Sequence, residues 1–211
     1  MQSDDPFLHP RFNFFCGHYI DCMTEYVARV DELLTALAEA HGEDDFGMYT
    51  IFIPDHHWSA TIIHTYAVFE QKLNEACEIC TQSKSLERGF KDFDGRGVSR
   101  AKLFLESYAG MALGLDDTLW RHVHTLGKLR NVLVHGGFSK DHKDFKVLSA
   151  YAKETGVFDI SDGLIHVRHR TVSFALDKLG RALLLVGGSV MELEEKKQGE
   201  PGATDNPDDA Q

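Results

Sequence analysis

Apolar residues recur every three to four positions through most of the chain, a spacing that is typical of amphipathic helices. The pattern predicts helices over residues 14–40, 56–82, 98–114, 141–155 and 172–196. A further helix is predicted between the third and fourth of these. Asp116 or Asp117 can cap its first turn, and Gly136 and Gly137 can supply the left-handed C-cap that ends it.

The apolar positions of the first two helices predict which faces are buried. On the first helix these positions are Tyr19, Met23, Tyr26, Val30, Leu33, Leu34 and Leu37. On the second helix they are Ile62, Tyr66, Phe69, Leu73, Ala76 and Cys80. Stripes of this kind are typical of helices that pack against one another in a bundle.

The segments between the helices differ in character. Residues 41–55 contain glycines, acids and a proline and predict a loop, whereas residues 83–97 are basic, glycine-bearing and irregular. Residues 157–167 contain two short β-prone runs around Asp162 and Gly163, a pair that favours a hairpin turn.

These elements predict an all-α fold, a single bundle domain over residues 1–197 with four to six helices and a small β-hairpin before the last helix. Residues 198–211 are rich in Gly, Pro, Asp and Asn and predict an acidic, disordered tail. The first ten residues, MQSDDPFLHP, lack an apolar run, and no stretch approaches the length of a membrane span. We therefore expect a cytoplasmic protein without a signal peptide or membrane anchor.

The net charge of −11 argues against a protein that coats nucleic acid without specificity. The charge is unevenly distributed, however. Residues 192–211 carry seven acids and two lysines, whereas residues 121–150 carry six Lys or Arg residues and two acids. The basic segment leaves room for a local polyanion site, although its charges also suit an ordinary solvated helix face.

The stretch KLRNVLVHGGF, at the end of the helix that follows Asp117, sets polar residues among apolar ones. Arg130 and His135 are five positions apart, about 140° around a regular helix. They converge only if the helix end distorts, if side-chain reach closes the gap, or if a second copy supplies the partner. Gly127, inside the same helix, costs about 1 kcal/mol relative to alanine and suggests that another backbone approaches there.

This stretch resembles the R-x(4–6)-H signature of HEPN domains, which lies toward the end of a helix in an all-α bundle. The flanking segments YAVFEQKLNEACEIC and GVSRAKLFLESYAGMALGLDDTLWRHVHTLGKLRNVLVHGG resemble the neighbouring helices of that superfamily. The resemblance covers residues 51–137. It implies an HEPN-like bundle that acts as a dimeric, metal-independent endoribonuclease, of the toxin or phage-defence kind, without a cofactor.

The resemblance also implies roles for individual residues. Arg130 would stabilise the charge on the scissile phosphate, and His135 would be the general acid or base. Asn131 would orient the histidine or a phosphate oxygen. The nucleophile would be the 2′-hydroxyl of the RNA, which leaves a cyclic phosphate.

Further candidates surround the motif. On the second predicted helix, Glu70 and Asn74 flank the apolar stripe, and either can face the motif as a supporting residue. The alternative for Glu70 is an ion pair with a buried arginine that serves structure alone. The RNA-binding candidates of the basic segment are Lys128, Arg121 and Lys140. Besides an RNA substrate and a second copy of the chain, an antitoxin protein is an expected partner. Some HEPN toxins continue H-x-Y and use that tyrosine to pair with a nucleotidyltransferase antitoxin, and this chain lacks it.

Two other interpretations of the motif stay open. In the first, the chain is a non-catalytic HEPN module that dimerises or binds a nucleotide, RNA or a protein. In the second, the motif residues are buried and satisfied for structure alone. No metal site is predicted, because the histidine pairs do not supply the three or four converging ligands that zinc requires. Cys77 and Cys80 lie on the apolar side of a helix and are expected to be buried, reduced thiols.

Overall fold

The computed structural model describes residues 8–41, 47–135 and 142–199. Within these residues the helices are α1 (Leu8–His41), α2 (Ile53–Ser83), α3 (Gly97–Leu103), α4 (Asp117–His135), α5 (Phe145–Thr155) and α6 (His169–Gly199). Strands β1 (Asp159–Ser161) and β2 (Leu164–His166) pair as an antiparallel hairpin before α6. The predicted all-α bundle with a small hairpin before its last helix is confirmed.

The bundle is built around α2 and α6, which pack against each other over much of their length. Helix α1 packs on α6, α4 lies against both α2 and α6, and α5 lies against α4. The core between them contains large, fully buried side chains that include Trp58, Phe69, Phe104 and Phe158. None of the helices in the described ranges has both the length and the apolar character that crossing a bilayer needs.

The predicted buried faces are right for α2 and only partly right for α1. All six predicted positions on α2 are buried. On α1, Leu34 is buried as predicted, but Tyr26 is 43% exposed and Leu33 is 58% exposed, while Cys16 and Val27 are buried. The difference follows from position, because α1 packs mainly on one helix, α6, and buries a narrower stripe than α2, which contacts several elements.

The third helical run ends earlier than its apolar pattern predicts. It continues from α3 through a π-helical turn, Phe104–Tyr108, and stops there rather than at residue 114. Gly110 and Gly114 have φ angles of 63° and 65°, the left-handed conformation that breaks a helix and that glycine adopts without strain. Met111 and Leu113, between these glycines, are buried in an irregular segment.

The predicted loop over residues 41–55 is wrong in its second half. Met48–Phe52 form a π-helical turn, and α2 begins at Ile53 with a proline in its first turn. Proline suits that position because the first N–H groups of a helix have no intrahelical partner. The fifth helix begins at Phe145, later than the predicted residue 141.

Local signals at other boundaries are confirmed. The backbone N–H of Leu119 donates to Asp116 Oδ1 at 2.7 Å, so Asp116 caps α4. Asp162 and Gly163 have φ angles of 52° and 76°, as a two-residue type I′ hairpin turn requires. The C-cap predicted at Gly136 and Gly137 lies outside the described residues. The disordered tail predicted over residues 198–211 begins too early, because residues 198 and 199 belong to α6, and its remainder lies outside the described residues.

Candidate functional site

The motif residues occupy the last turn and a half of α4. Arg130 is half-buried, whereas Asn131 and His135 are exposed. Helix α4 stays α-helical as far as His135, so the side chains of Arg130 and His135 leave it about 140° apart. Distortion of the helix end therefore does not bring these two groups together, and side-chain reach or a second copy would have to do so.

The guanidinium of Arg130 has unused donor capacity. Its Nη1 donates to Asn131 Oδ1 at 3.0 Å, a contact with the adjacent residue. Its Nε is buried and has no hydrogen-bond partner among the described residues. A buried N–H of a charged group without a partner costs on the order of 1–3 kcal/mol, so a bound anion that accepted this hydrogen bond would recover that cost.

Glu70, on α2, lies close enough to Arg130 for the two charges to interact. Burial raises the pKa of Glu70, and the positive charge of Arg130 opposes that rise. No ion pair within 4.0 Å joins the two residues in the described part of the chain, so the carboxylate does not neutralise the guanidinium by direct contact. Glu70 instead covers the start of α3, where a Cβ built on Gly97 would lie 2.5 Å from Glu70 Oε1.

Tyr66, one turn before Glu70 on α2, also lies at this site, although the sequence predicted it only as a core residue. Its side chain is buried, and burial, reinforced by the charge of Glu70, raises the pKa of its phenol while Arg130 lowers it. Tyr66 and Glu70 are four positions apart, so they share one face of the helix. This spacing is the feature of the sequence that could have identified Tyr66. Asn74, the other predicted supporting residue, is half-buried one turn beyond Glu70, and no hydrogen bond joins it to the motif among the described residues.

The close approach predicted at Gly127 is real, but its partner is a side chain of the same chain. A Cβ at Gly127 would lie 2.9 Å from Cζ of Tyr66, well inside van der Waals contact. The phenol of Tyr66 therefore occupies the space that a side chain on α4 would take. This contact lets α2 and α4 approach closely and places Glu70 and Arg130 near each other.

Two of the predicted RNA-binding residues are paired with acids near or on α5. Lys128 Nζ lies 3.2 Å from Asp144 Oδ1. Arg121 makes a two-pronged pair with Glu154, with distances of 2.7 and 3.2 Å. Asp144 is one of the two acids already counted in the basic segment, so only the pair with Glu154, which lies outside residues 121–150, offsets a charge that the sequence assigned to it. Lys140, the third candidate, lies outside the described residues.

The remaining histidine and cysteine predictions concern metals and thiols. No group of three or more His, Cys, Asp or Glu side chains in the described ranges is arranged to hold a metal ion. Cys77 and Cys80 are buried thiols that form no disulfide, as predicted, and burial raises the pKa of Cys77. Burial also lowers the pKa of His124 on α4, and the charges of Lys102 and Lys128 lower it further.

No family model, no curated protein and no solved structure matches the chain. The HEPN resemblance therefore rests on the R-x4-H motif, on its position at the end of α4 and on the all-α bundle around it.

Proposed function

We propose that the protein is a metal-independent endoribonuclease of the HEPN type that acts as a homodimer, as a toxin or phage-defence effector. Arg130 binds the scissile phosphate, His135 transfers a proton, and Asn131 orients the guanidinium. The active site forms between two chains, each of which supplies one copy of the motif, because Arg130 and His135 of a single chain point away from each other on their helix. RNA is the substrate class, because its 2′-hydroxyl serves as the nucleophile.

The observation that carries this proposal is the guanidinium of Arg130, which pairs with no carboxylate among the described residues and donates through Nη1 only to the adjacent Asn131. The neighbouring basic residues Arg121 and Lys128 contact carboxylates, whereas Arg130 has no ion pair within 4.0 Å among the described residues and a buried Nε without a partner. If the motif were purely structural, Arg130 and His135 would be buried and satisfied within one chain. Instead, His135 is exposed at the end of α4.

The chemistry requires no group beyond the side chains and the RNA. A histidine accepts the proton of the 2′-hydroxyl as the oxygen attacks phosphorus, and an acid donates a proton to the departing 5′-oxygen. The products are a 2′,3′-cyclic phosphate and a 5′-hydroxyl. Arg130 stabilises the negative charge that builds on the phosphoryl oxygens, and removal of one such donor typically costs roughly 100- to 1,000-fold in rate.

The test is cleavage of total cellular RNA in EDTA, with the product ends identified. Wild type is compared with His135→Ala, Arg130→Lys and the control His18→Ala, which removes an exposed histidine on α1. We expect wild type and the control to leave cyclic phosphate or 3′-phosphate ends. His135→Ala should be inactive, and Arg130→Lys should lose at least roughly 100-fold, because lysine keeps the charge but not the planar donor set.

Absence of cleavage by folded, dimeric wild-type protein would refute the nuclease. It would favour the second candidate, a non-catalytic HEPN module. The pairing of Arg121 with Glu154 and of Lys128 with Asp144 supports that candidate, because it reduces the basic surface available to a long RNA. A binding module should still take a small phosphorylated ligand at Arg130. Titration with ATP and with a short oligoribonucleotide, against Arg130→Gln, distinguishes this candidate from a structural protein, which would bind neither.

A further inference from the structure

A serine, a histidine and an aspartate meet where the β1–β2 hairpin contacts the start of α2. Ser161 Oγ lies 2.8 Å from His166 Nε2, and His166 Nδ1 lies 3.0 Å from Asp55 Oδ2. The other oxygen of the same carboxylate accepts the backbone N–H of Val167 at 2.6 Å. The order of the groups, hydroxyl to imidazole to carboxylate, and their contacts are those of a serine hydrolase triad.

The carboxylate determines which imidazole nitrogen carries the proton. Asp55 can only accept a hydrogen bond when ionised, so His166 donates from Nδ1 and leaves the lone pair of Nε2 facing the hydroxyl of Ser161. The side chains of His166 and Asp55 are only 20% and 19% exposed. Ser161, by contrast, is exposed. The base is therefore shielded and oriented, whereas the nucleophile can be reached from solvent.

The hairpin register explains how two residues five positions apart meet. Ser161 pairs with Leu164 and Asp159 pairs with His166, so Ser161 and His166 are diagonal neighbours on one face of the hairpin. The opposite face carries Ile165, which is buried against the core. Leu164 lies on the same face as Ser161 and is 60% exposed. An apolar group is thus available directly across the hairpin from the hydroxyl.

We infer that Ser161 is an activated nucleophile for acyl transfer, with His166 as its general base, Asp55 as the positioning residue and carboxylic esters with an apolar acyl chain as the substrate class. Ser161 Oγ attacks the ester carbonyl, its proton passes to His166 Nε2 and then to the departing alcohol, and an acyl-serine forms. Water attacks the acyl-serine, gives its proton through His166 to Ser161 Oγ, and releases the carboxylic acid. Leu164 contacts the acyl chain.

The triad lies apart from the proposed nuclease site, and we expect it to turn over more slowly than a hydrolase with a deep cleft. Asp55 and Glu70 are fifteen residues apart on α2, which corresponds to about 22 Å along the helix. Two of the three groups, Ser161 and His166, lie on a short hairpin, and Ser161 is exposed rather than enclosed in a deep cleft. Little remote binding energy is therefore available to lower the barrier, and we expect slow turnover with readily detected covalent capture.

The experiment uses the full chain and a long-alkyl fluorophosphonate. Ser161 Oγ displaces fluoride from phosphorus, and the hydroxyl proton leaves with the fluoride. The labelled residue is identified by mass spectrometry of peptides, and the rate is followed on the intact chain. We expect one label, on Ser161, and none on Ser161→Ala. Leu164→Ala should slow the long-alkyl probe roughly tenfold and leave a short-chain probe unchanged, because only the long chain contacts the leucine.

The chain contains its own matched control serine. Ser173 Oγ lies 3.3 Å from His169 Nε2, but His169 Nδ1 is 4.0 Å from Asp31 Oδ2, too far for a hydrogen bond. Ser173→Ala should therefore label at the wild-type rate. Label on Ser173 in place of Ser161, or equal labelling of wild type and Ser161→Ala, overturns the inference.

Asp55→Asn separates positioning from folding. An asparagine keeps an oxygen for the N–H of Val167 but donates to His166 Nδ1, which places the proton on Nε2 and removes the base. We expect an unchanged melting temperature and a labelling rate lowered at least roughly 100-fold. A folded Asp55→Asn that labels at the wild-type rate refutes the role of the triad. If this variant unfolds, Ser161→Ala still decides, because an exposed hydroxyl contributes little to stability. RNA cleavage should be unaffected by Ser161→Ala.

Discussion

The absence of a side chain at Gly127 lets Tyr66 of α2 pack closely against α4, and Gly127→Ala tests how much this close packing matters. A Cβ at position 127 would lie 2.9 Å from Tyr66 Cζ and still closer to the phenol oxygen. Ordinary van der Waals contacts to Cβ lie at 3.4–4 Å, so the ring must move by at least 0.5 Å. Tyr66 is only 5% exposed and packs 5.9 Å from the ring of Phe69, which leaves it little space to do so.

The two opposing contributions can be weighed. Alanine in place of a helical glycine gains about 1 kcal/mol. Overpacking of a well-filled core costs about 1–3 kcal/mol, and the upper end applies because both a ring carbon and the phenol oxygen overlap with the new methyl group. We expect Gly127→Ala to lower the free energy of unfolding by about 2 kcal/mol, which is a fall of roughly 4–8 °C in Tm for a domain of this size.

Urea denaturation followed by circular dichroism measures this change. Gly188→Ala on α6 is the matched control, because a Cβ there meets nothing within 4 Å, and it should stabilise the protein by up to about 1 kcal/mol. Tyr66→Phe combined with Gly127→Ala should recover part of the loss, since the phenol oxygen is removed. If Gly127→Ala is as stable as wild type, the close contact does not constrain the two helices and the reasoning is wrong.

Two further predictions concern titratable groups. Burial raises the pKa of Glu70 despite the opposing charge of Arg130. The folded protein therefore favours the protonated carboxyl more than the unfolded chain does, and ionisation of Glu70 at higher pH lowers the free energy of unfolding. Glu70→Gln should therefore raise Tm at about pH 8 and lose that advantage at about pH 4; a lower Tm at the higher pH would contradict this sign. Of the four cysteines, Cys22 is exposed and the others are buried, and burial raises the pKa of Cys16 to about 11. A thiol reagent such as DTNB should modify Cys22 rapidly and the rest only after unfolding, and more than one fast thiol per chain would show that the core opens.

The sequence shows most residues of the candidate site but not the contacts between them. The motif at Arg130 and His135 is visible in the sequence because it lies within one helix. The close approach of Tyr66 to Gly127 was missed because an apolar stripe also contains aromatic residues that only fill the core. The pairing of Lys128 and Arg121 was not predicted, because their partners Asp144 and Glu154 lie 16 and 33 residues away and side-chain pairing between elements leaves no periodic signal.

The sequence by itself determined the local structure of this protein. The apolar period places the helices, Asp116 caps α4, and Asp162 and Gly163 form the hairpin turn, because each signal acts over a few neighbouring residues. The tertiary structure alone decided which of these local pieces meet. Asp55 and His166 are 111 residues apart and lie in contact because the hairpin packs on the start of α2. Such contacts depend on the packing of the whole bundle, in which burial and shape choose the partners, and no short stretch of sequence contains that information.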